Sequence, residues 1–242
     1  MKAIILSAGQ GSRLGHLTDD RPKCLIEFGG RSLLDWQLDT LAANGVEDVV
    51  VVTGFRDDQI AAVLARRSGG PTVRTVFNPF FKVADNLGSL YMVRAELTGD
   101  CLVWNGDTLV SKALMARVVT NETPGICVTI DRKPAYDDDD MKVIADDHGR
   151  LRAIGKRISE GVNAESIGLL AFRGGGAERF AEAIDRAMRT AEGTTIWYLR
   201  VIHHLAQDGA VWTLDIKGEE WGEVDFPEDV APAEALVKGW GA

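Results

Sequence analysis

The first half of the chain alternates short apolar runs with longer amphipathic stretches. Residues 3–6, 48–53, 73–77 and 101–105 are dominated by aliphatic and β-branched side chains, the pattern of strands covered on both faces. Between them, Ser32 can cap a helix running to about Asn44, with Leu33, Leu34, Trp36, Leu38 and Leu41 as its apolar set and Gly45 at its end. Residues 57–67 and 89–97 read as further helices. Strands alternating with helices predict a parallel sheet with crossover connections. The second half is different. Strands are predicted at 126–131, 167–172, 211–216 and 221–225, and helices at 177–190, 196–207 and 227–237. Residues 141–145 and 150–155 flank Asp146-Asp-His-Gly149, a hairpin turn. The expected fold class is therefore α/β, with a Rossmann-like mixed, mostly parallel sheet and helices on both faces. No repeat or low-complexity linker divides the chain. One domain is predicted over 1–242, with a nucleotide-binding half to about residue 110 and an acceptor-binding half from about residue 111.

The first apolar run stops at a loop containing Gly9, Gly11 and Gly15, with Ser12 and Arg13 inside it. Glycines let the backbone turn sharply and approach a ligand closely. Successive free N–H groups in such a loop form an anion nest. Arg13 adds a planar fork of donors suited to phosphate oxygens, and Lys23, after Pro22, adds a compact second cation. Together these suit a nucleoside triphosphate, with Leu6, Ala8, Gly9, Gly11 and Ser12 as the binding segment. A dinucleotide-binding turn needs Gly-x-Gly-x-x-Gly leading directly into a helix; here the third glycine comes one residue late and residues 19–22 block a helix. A P-loop string is absent.

Two carboxylates fall just past predicted strands. Asp107 follows the run 101–105, and Asp225 follows Trp221 and Val224, just before Pro227. Ligands of open α/β sheets gather at strand ends, and a hard carboxylate there suits Mg²⁺ shared with phosphates. Taken alone, Asp107 could equally be the cap of a helix starting at Thr108. Asn86 and Ser89, in Asn86-Leu-Gly-Ser-Leu90, offer donors and acceptors to a base edge, and Gly88 permits close backbone approach; either side chain could instead cap the helix at 89–97. The aspartates of 137–140 read as a solvated loop or as an attractor for a cationic ligand, for which Tyr136, Trp197 and Tyr198 could supply aromatic faces. The same aromatics could be core. His203 and His204 have no acid partner at metal spacing and read as helix surface.

Residues 6–14, Leu6-Ser-Ala-Gly-Gln-Gly-Ser-Arg-Leu14, with Arg21-Pro-Lys23, resemble the signature of the nucleoside-triphosphate-transferase family, the sugar-1-phosphate and phospho-alcohol nucleotidyltransferases. Weaker similarity extends along nearly the whole chain. The resemblance implies the nucleotide-diphospho-sugar transferase fold, Mg²⁺ held by Asp107 and Asp225, catalytic roles for Arg13 and Lys23, and contact of Lys156, after a strand, with the acceptor phosphate. The segment 86–90 resembles the Asn-x-x-Ser-Leu of cytidylyltransferases acting on phosphocholine and similar phospho-alcohols, not the Gly-Leu-Ala-x-Ala of thymidylyl and uridylyl enzymes. By that resemblance Tyr136, Asp140, Trp197 and Tyr198 belong to the acceptor site. The loop departs from the pattern by carrying Asp where the phosphocholine enzymes have an aromatic, which widens the expected acceptors to phosphoethanolamine-like, aminophosphonate and inositol phosphates.

Composition narrows the partners. The chain has 242 residues, 45% of them hydrophobic, and a formal net charge of −9. No basic stripe is present, so nucleic acid is not an expected partner. The cysteines, Cys24, Cys101 and Cys127, are far apart and suggest reduced thiols and a cytoplasmic location. No long apolar span or leader is read in the sequence, so membrane insertion is not expected. The predicted reaction is transfer of CMP from CTP to a small phosphorylated acceptor by a monomer or homodimer. The alternatives are a sugar-1-phosphate or inositol-1-phosphate nucleotidyltransferase using UTP, dTTP or CTP, and a nucleotide-sensing subunit without turnover.

Overall fold

In the computed structural model, which describes residues 1–240, the strands are β1 (Lys2–Ser7), β2 (Glu27–Phe28), β3 (Arg31–Ser32), β4 (Asp48–Thr53), β5 (Thr72–Phe77), β6 (Cys101–Asn105), β7 (Thr108–Val110), β8 (Gly125–Asp131), β9 (Lys142–Ala145), β10 (Leu151–Ile154), β11 (Ala164–Arg173), β12 (Val211–Asp215) and β13 (Trp221–Glu223). The helices are α1 (Leu33–Ala43), α2 (Asp57–Arg66), α3 (Asn86–Met92), α4 (Lys112–Thr120), α5 (Gly176–Met188), α6 (Tyr198–Gln207) and α7 (Val230–Gly239). Gly241 and Ala242, the end of the predicted domain, lie outside the described residues.

β1 sits inside a nine-stranded sheet of order β10-β9-β11-β6-β1-β4-β5, with β8 branching from β11 and β12 pairing with β8. β6, β1, β4 and β5 are mutually parallel, as the alternating pattern predicts. β11 then runs antiparallel to β6, β8 and β9. This makes the sheet mixed.

Alternate residues of each central strand face opposite layers, as the two-residue strand period requires. Ile4, Val50, Val52 and Val103 pack on Leu87 and Leu90 of α3, Phe180 and Ile184 of α5 and Ile202 of α6. Ala3, Ile5, Val49, Val51, Leu102 and Trp104 pack on Leu34, Leu38 and Leu41 of α1, Ile60 of α2, and Leu114, Met115 and Val118 of α4. A third cluster joins Leu14 of the glycine loop to Phe28, Leu33, Trp36, Leu109, Val224 and the α7 residues Ala233 and Val237. It fastens the glycine loop and the segment before Asp225 to one apolar plug, although they are far apart in sequence.

Predicted boundaries move at two places that bear on the cleft. The helix expected at 89–97 begins at Asn86, because the Asp85 carboxylate accepts the N–H of Asn86 at 2.8 Å, and ends at Met92. No helix starts at Thr108. Residues 108–110 form β7, which pairs antiparallel with β13, and Ser111 caps α4 by accepting the N–H of Leu114 at 3.0 Å. The hairpin at 146–149 forms as predicted, joining β9 to β10, with Asp146 Oδ1 accepting the N–H groups of His148 and Arg150.

Candidate active site

The parallel strands β1 and β6 end on the rim of a cleft of about 410 Å³ that gathers most of the residues singled out in the sequence. The glycine loop forms one wall. Gly11 has φ +77°, and a Cβ there would lie 2.8 Å from the Cβ of Lys23. The missing side chain is what lets the stem of Lys23 pass beneath the loop. Beyond it, two 3₁₀ turns meet at Gly15, φ +56°, in Ser12–Thr18. Arg13 leaves this segment half-exposed, with its guanidinium over the Phe226 ring, 5.4 Å from the centroid. Leu6, Gly9, Gly11 and Ser12 line the cleft. Ala8 does not: it is buried, and its carbonyl accepts the N–H of Phe55.

Lys23 lies between the two strand-end carboxylates. Its Nζ donates to Asp107 Oδ2 at 3.0 Å and to Asp225 Oδ1. Burial opposes its charge, but attraction to Asp107 and Asp225 outweighs that and holds the ammonium above its ordinary pKa. Asp225 is itself held: Asp229 Oδ2 accepts the N–H groups of Asp225 and Phe226 at 2.8 and 2.7 Å. Because Ser111 caps α4, Asp107 has no capping duty and its carboxylate is turned to the cleft. Glu223 joins them. Its side chain faces the open cleft, but the surrounding protein and the charges of Asp107 and Asp225 push its carboxyl above the usual carboxylate range.

The Asp107–Asp225 pair suits a divalent cation. Oxygens from two separate strand ends already converge on one positive group, the Lys23 ammonium. Among the described residues no cluster of three or more Asp, Glu, His or Cys side chains forms a complete ligand cage. A two-carboxylate site completed by phosphate oxygens and water is the arrangement Mg²⁺ favours.

The opposite wall carries Lys156, Asp139, Asp85 and Trp197. Lys156 Nζ donates to Asp139 Oδ1 at 2.7 Å and sits 5.3 Å from the centroid of the Trp197 ring. Asp139 also meets Arg13 at 3.4 Å, so one carboxylate of the acidic loop spans the cleft between its two outer cations. The hydrogen bond from Lys156, then the charge of Arg13, hold Asp139 below the usual carboxylate range.

Several predicted contacts are placed elsewhere. Asp140 turns away from the cleft to Lys133, 2.8 Å from its Nζ, and Lys133 also meets Glu165, whose carboxyl burial raises to about 7. Tyr136 is tied into the same loop, its hydroxyl accepting the N–H of Lys133. Tyr198 is fully buried, so it offers no aromatic face to a ligand; its hydroxyl donates to Asn105 Oδ1 at 3.0 Å. Ser89 is buried and accepts from Asn78 Nδ2, and Gly88 packs against Ala84; neither reaches the cleft. Asn86 does line it, but its Oδ1 is engaged in accepting the N–H of Tyr198 at 2.9 Å, capping α6 instead of α3. Sequence reasoning missed Asp85, Asn105 and Glu223, and it singled out the acidic loop without separating Asp139 from its neighbours. Asp139 was visible only as one of four equal aspartates, and Asn105 only as the last residue of a strand.

Residues 3–163 match the MobA-like NTP transferase domain, and the chain belongs to that family of nucleotidyltransferases. It is similar along its length to the choline-phosphate cytidylyltransferase of Streptococcus pneumoniae, at 26% identity over 98% of this chain and 99% of that one. It is 29% identical to the CMP-5'-(3-aminopropyl)phosphonate synthase of Streptomyces rubellomurinus over 97% of this chain and 38% of that longer protein. The fold matches the inositol-1-phosphate CTP transferase of T. maritima with a TM-score of 0.82 at 22% identity, covering 100% of this chain and 97% of that one.

Proposed function

We propose that this protein transfers CMP from CTP to a small phosphorylated alcohol or phosphonate that carries an amine, releasing pyrophosphate. The observation that carries this reading is the placement of Arg13, Lys23 and Lys156 around one cleft with the Asp107–Asp225 pair between them. In this reading residues 1–242 act as one unit, its nucleotide half to about residue 110 and its acceptor half beyond. Arg13 and the glycine-loop amides hold the outer phosphates, Lys23 meets the α-phosphate, and Lys156 orients the acceptor. An anionic oxygen of the acceptor phosphate attacks the α-phosphorus in line, and the bond from that phosphorus to the pyrophosphate oxygen breaks. The attacking oxygen needs no base, so the protein's contribution is positioning and charge neutralisation. Asp107 and Asp225 would hold Mg²⁺, which would offset triphosphate charge.

The amine is supported by the acceptor wall, where the Lys156 ammonium already lies over Trp197 and beside Asp139 and Asp85. A substrate ammonium meets the same groups when Lys156 turns to phosphate. Cytosine is supported by Asn86 on the cleft rim and by the relatives' shared use of cytidylyl chemistry in their names. No helix among the described residues is long and apolar enough to cross a membrane, and the cytoplasm, where CTP is available, is the compartment this reading takes. Calorimetric titration with CTP, UTP, dTTP and ATP in Mg²⁺ tests the nucleotide. CTP is expected to bind at least about tenfold more tightly than the others, a difference of about 1.4 kcal/mol; tighter binding of dTTP or UTP would support a sugar-nucleotide enzyme instead.

A further inference from the structure

Asn105 closes β6 two residues before Asp107 and lines the cleft. Its backbone carbonyl is fixed by Gln37 Nε2 at 2.8 Å. Its side-chain oxygen accepts the hydroxyl proton of Tyr198 at 3.0 Å. That leaves the amide nitrogen, which donates to no protein acceptor among the described residues although the side chain is half-buried. The opposite strand makes room for it. Gly168 of β11 has φ +72°, and a Cβ there would lie 2.5 Å from Asn105 Nδ2. The N–H₂ group thus opens on the cleft with no protein acceptor among the described residues, beside a Gly168 backbone whose positive φ disfavours any side chain, and it is available to donate to a ligand.

Tyr198 sets which end of the amide faces the cleft. It is fully buried at the start of α6, and burial, with Asp107 and Glu223 adding to it, raises its pKa and keeps it a neutral phenol. A neutral hydroxyl has a proton to donate, and Asn105 Oδ1 receives it. The NH₂ is therefore turned outward. The Tyr198 backbone is anchored in turn, its N–H donating to Asn86 Oδ1 at 2.9 Å.

We propose that Asn105 is a donor to a non-bridging oxygen of the phosphoryl group being transferred, and that Tyr198 is the positioning residue that orients its amide. The inference rests on the nucleotidyl-transfer reading above. Asn105 adjoins the Asp107–Lys23 pair, where that reading puts the α-phosphate. A neutral donor there meets charge that grows as the acceptor oxygen attacks, so its effect falls on turnover more than on nucleotide affinity.

The experiment is a double-mutant cycle on the full chain with Asn105→Ala, Tyr198→Phe and the double variant. Pyrophosphate release is measured with CTP and the best acceptor for wild type, and CTP affinity by calorimetry. The expected result is a kcat loss of about 30- to 100-fold for Asn105→Ala with the CTP Kd within about threefold of wild type. Tyr198→Phe should cost about tenfold in kcat when introduced into wild type and nothing further when added to Asn105→Ala, because the amide it orients is gone. CTP binding by each variant reports that it is folded. Equal losses from Tyr198→Phe in both backgrounds would show that Tyr198 only packs, and an Asn105→Ala loss confined to CTP affinity would show a ground-state contact; either result overturns the proposal. A wild-type protein that binds CTP but releases no pyrophosphate with any acceptor overturns the parent reading, and this inference with it.

Discussion

Lys156 Nζ donates to Asp139 Oδ1 at 2.7 Å, and this bond lays the acidic loop across the end of the cleft that the proposed function gives to the acceptor. Asp140, its neighbour, points the other way, to Lys133. Two adjacent aspartates thus have opposite duties. Asp139→Asn should raise KM for phosphocholine or phosphoethanolamine by about fivefold, the scale of a partly exposed charge pair, with KM for CTP nearly fixed. Asp140→Asn should instead lower Tm, because it removes one of the two carboxylates paired with Lys133. Steady-state kinetics and thermal melts on the two variants check this; reversal of the two phenotypes would refute the assignment.

Lys23 stands where a single cation faces both strand-end carboxylates. Lys23→Ala should lower kcat by about 10²- to 10³-fold, the loss typical of one electrostatic stabiliser removed. Circular dichroism should be unchanged, since Lys23 sits in a short 3₁₀ turn outside the main helices and its ammonium ends on Asp107 and Asp225 at the cleft. A kcat within about threefold of wild type would show that Lys23 is structural.

Asp225 is aimed by Asp229, which accepts two backbone N–H groups beside it. Asp225→Asn should raise the Mg²⁺ concentration for half-maximal rate by at least about tenfold, and Asp229→Ala should do so less steeply through lost aim. Rates measured across a Mg²⁺ titration test both. A Mg²⁺ dependence unaltered in Asp225→Asn would remove Asp225 from the metal site.

His203 is not a surface residue in the way the sequence suggests. Its Nδ1 accepts the N–H of Ile154, and burial, with His204 and Arg200 nearby, lowers its pKa below the ordinary value of 6.5. A depressed histidine pKa contributes stability above the unfolded value that is lost as pH falls through the folded one. Wild-type Tm should therefore drop below about pH 6.5 more steeply than that of His203→Asn, which keeps an acceptor but cannot be protonated. Parallel Tm curves for the two proteins between pH 8 and 5 would contradict this.

Much of this architecture could be read from the chain because its signals are local. The continuous β-branched run of β4 and the periodic apolar face of α1 each state their own structure. The glycine loop is legible for the same reason, since Gly11 needs a positive φ whatever surrounds it. The acceptor wall was harder because its assignments depend on contacts across the fold. Nothing near Tyr198 in sequence says that its hydroxyl meets Asn105, or that Asn86 caps a helix from the other half of the chain. Four consecutive aspartates look alike until β9 and the loop before it send Asp139 to the cleft and Asp140 to Lys133. The Asp107 cap reading failed because β13, distant in sequence, supplied a strand partner for residues 108–110.

The central claim is CTP-dependent transfer to an aminated phospho-acceptor, and its most direct test is pyrophosphate release by the purified full chain. CTP, UTP, dTTP and ATP would each be paired with phosphocholine, phosphoethanolamine, 2-aminoethylphosphonate, inositol 1-phosphate and glucose 1-phosphate in Mg²⁺. The account predicts turnover with CTP and the amine-bearing acceptors, at a kcat/KM at least about tenfold above every other pair. Fastest turnover with glucose 1-phosphate and UTP or dTTP, or no pyrophosphate from any pair, would contradict it.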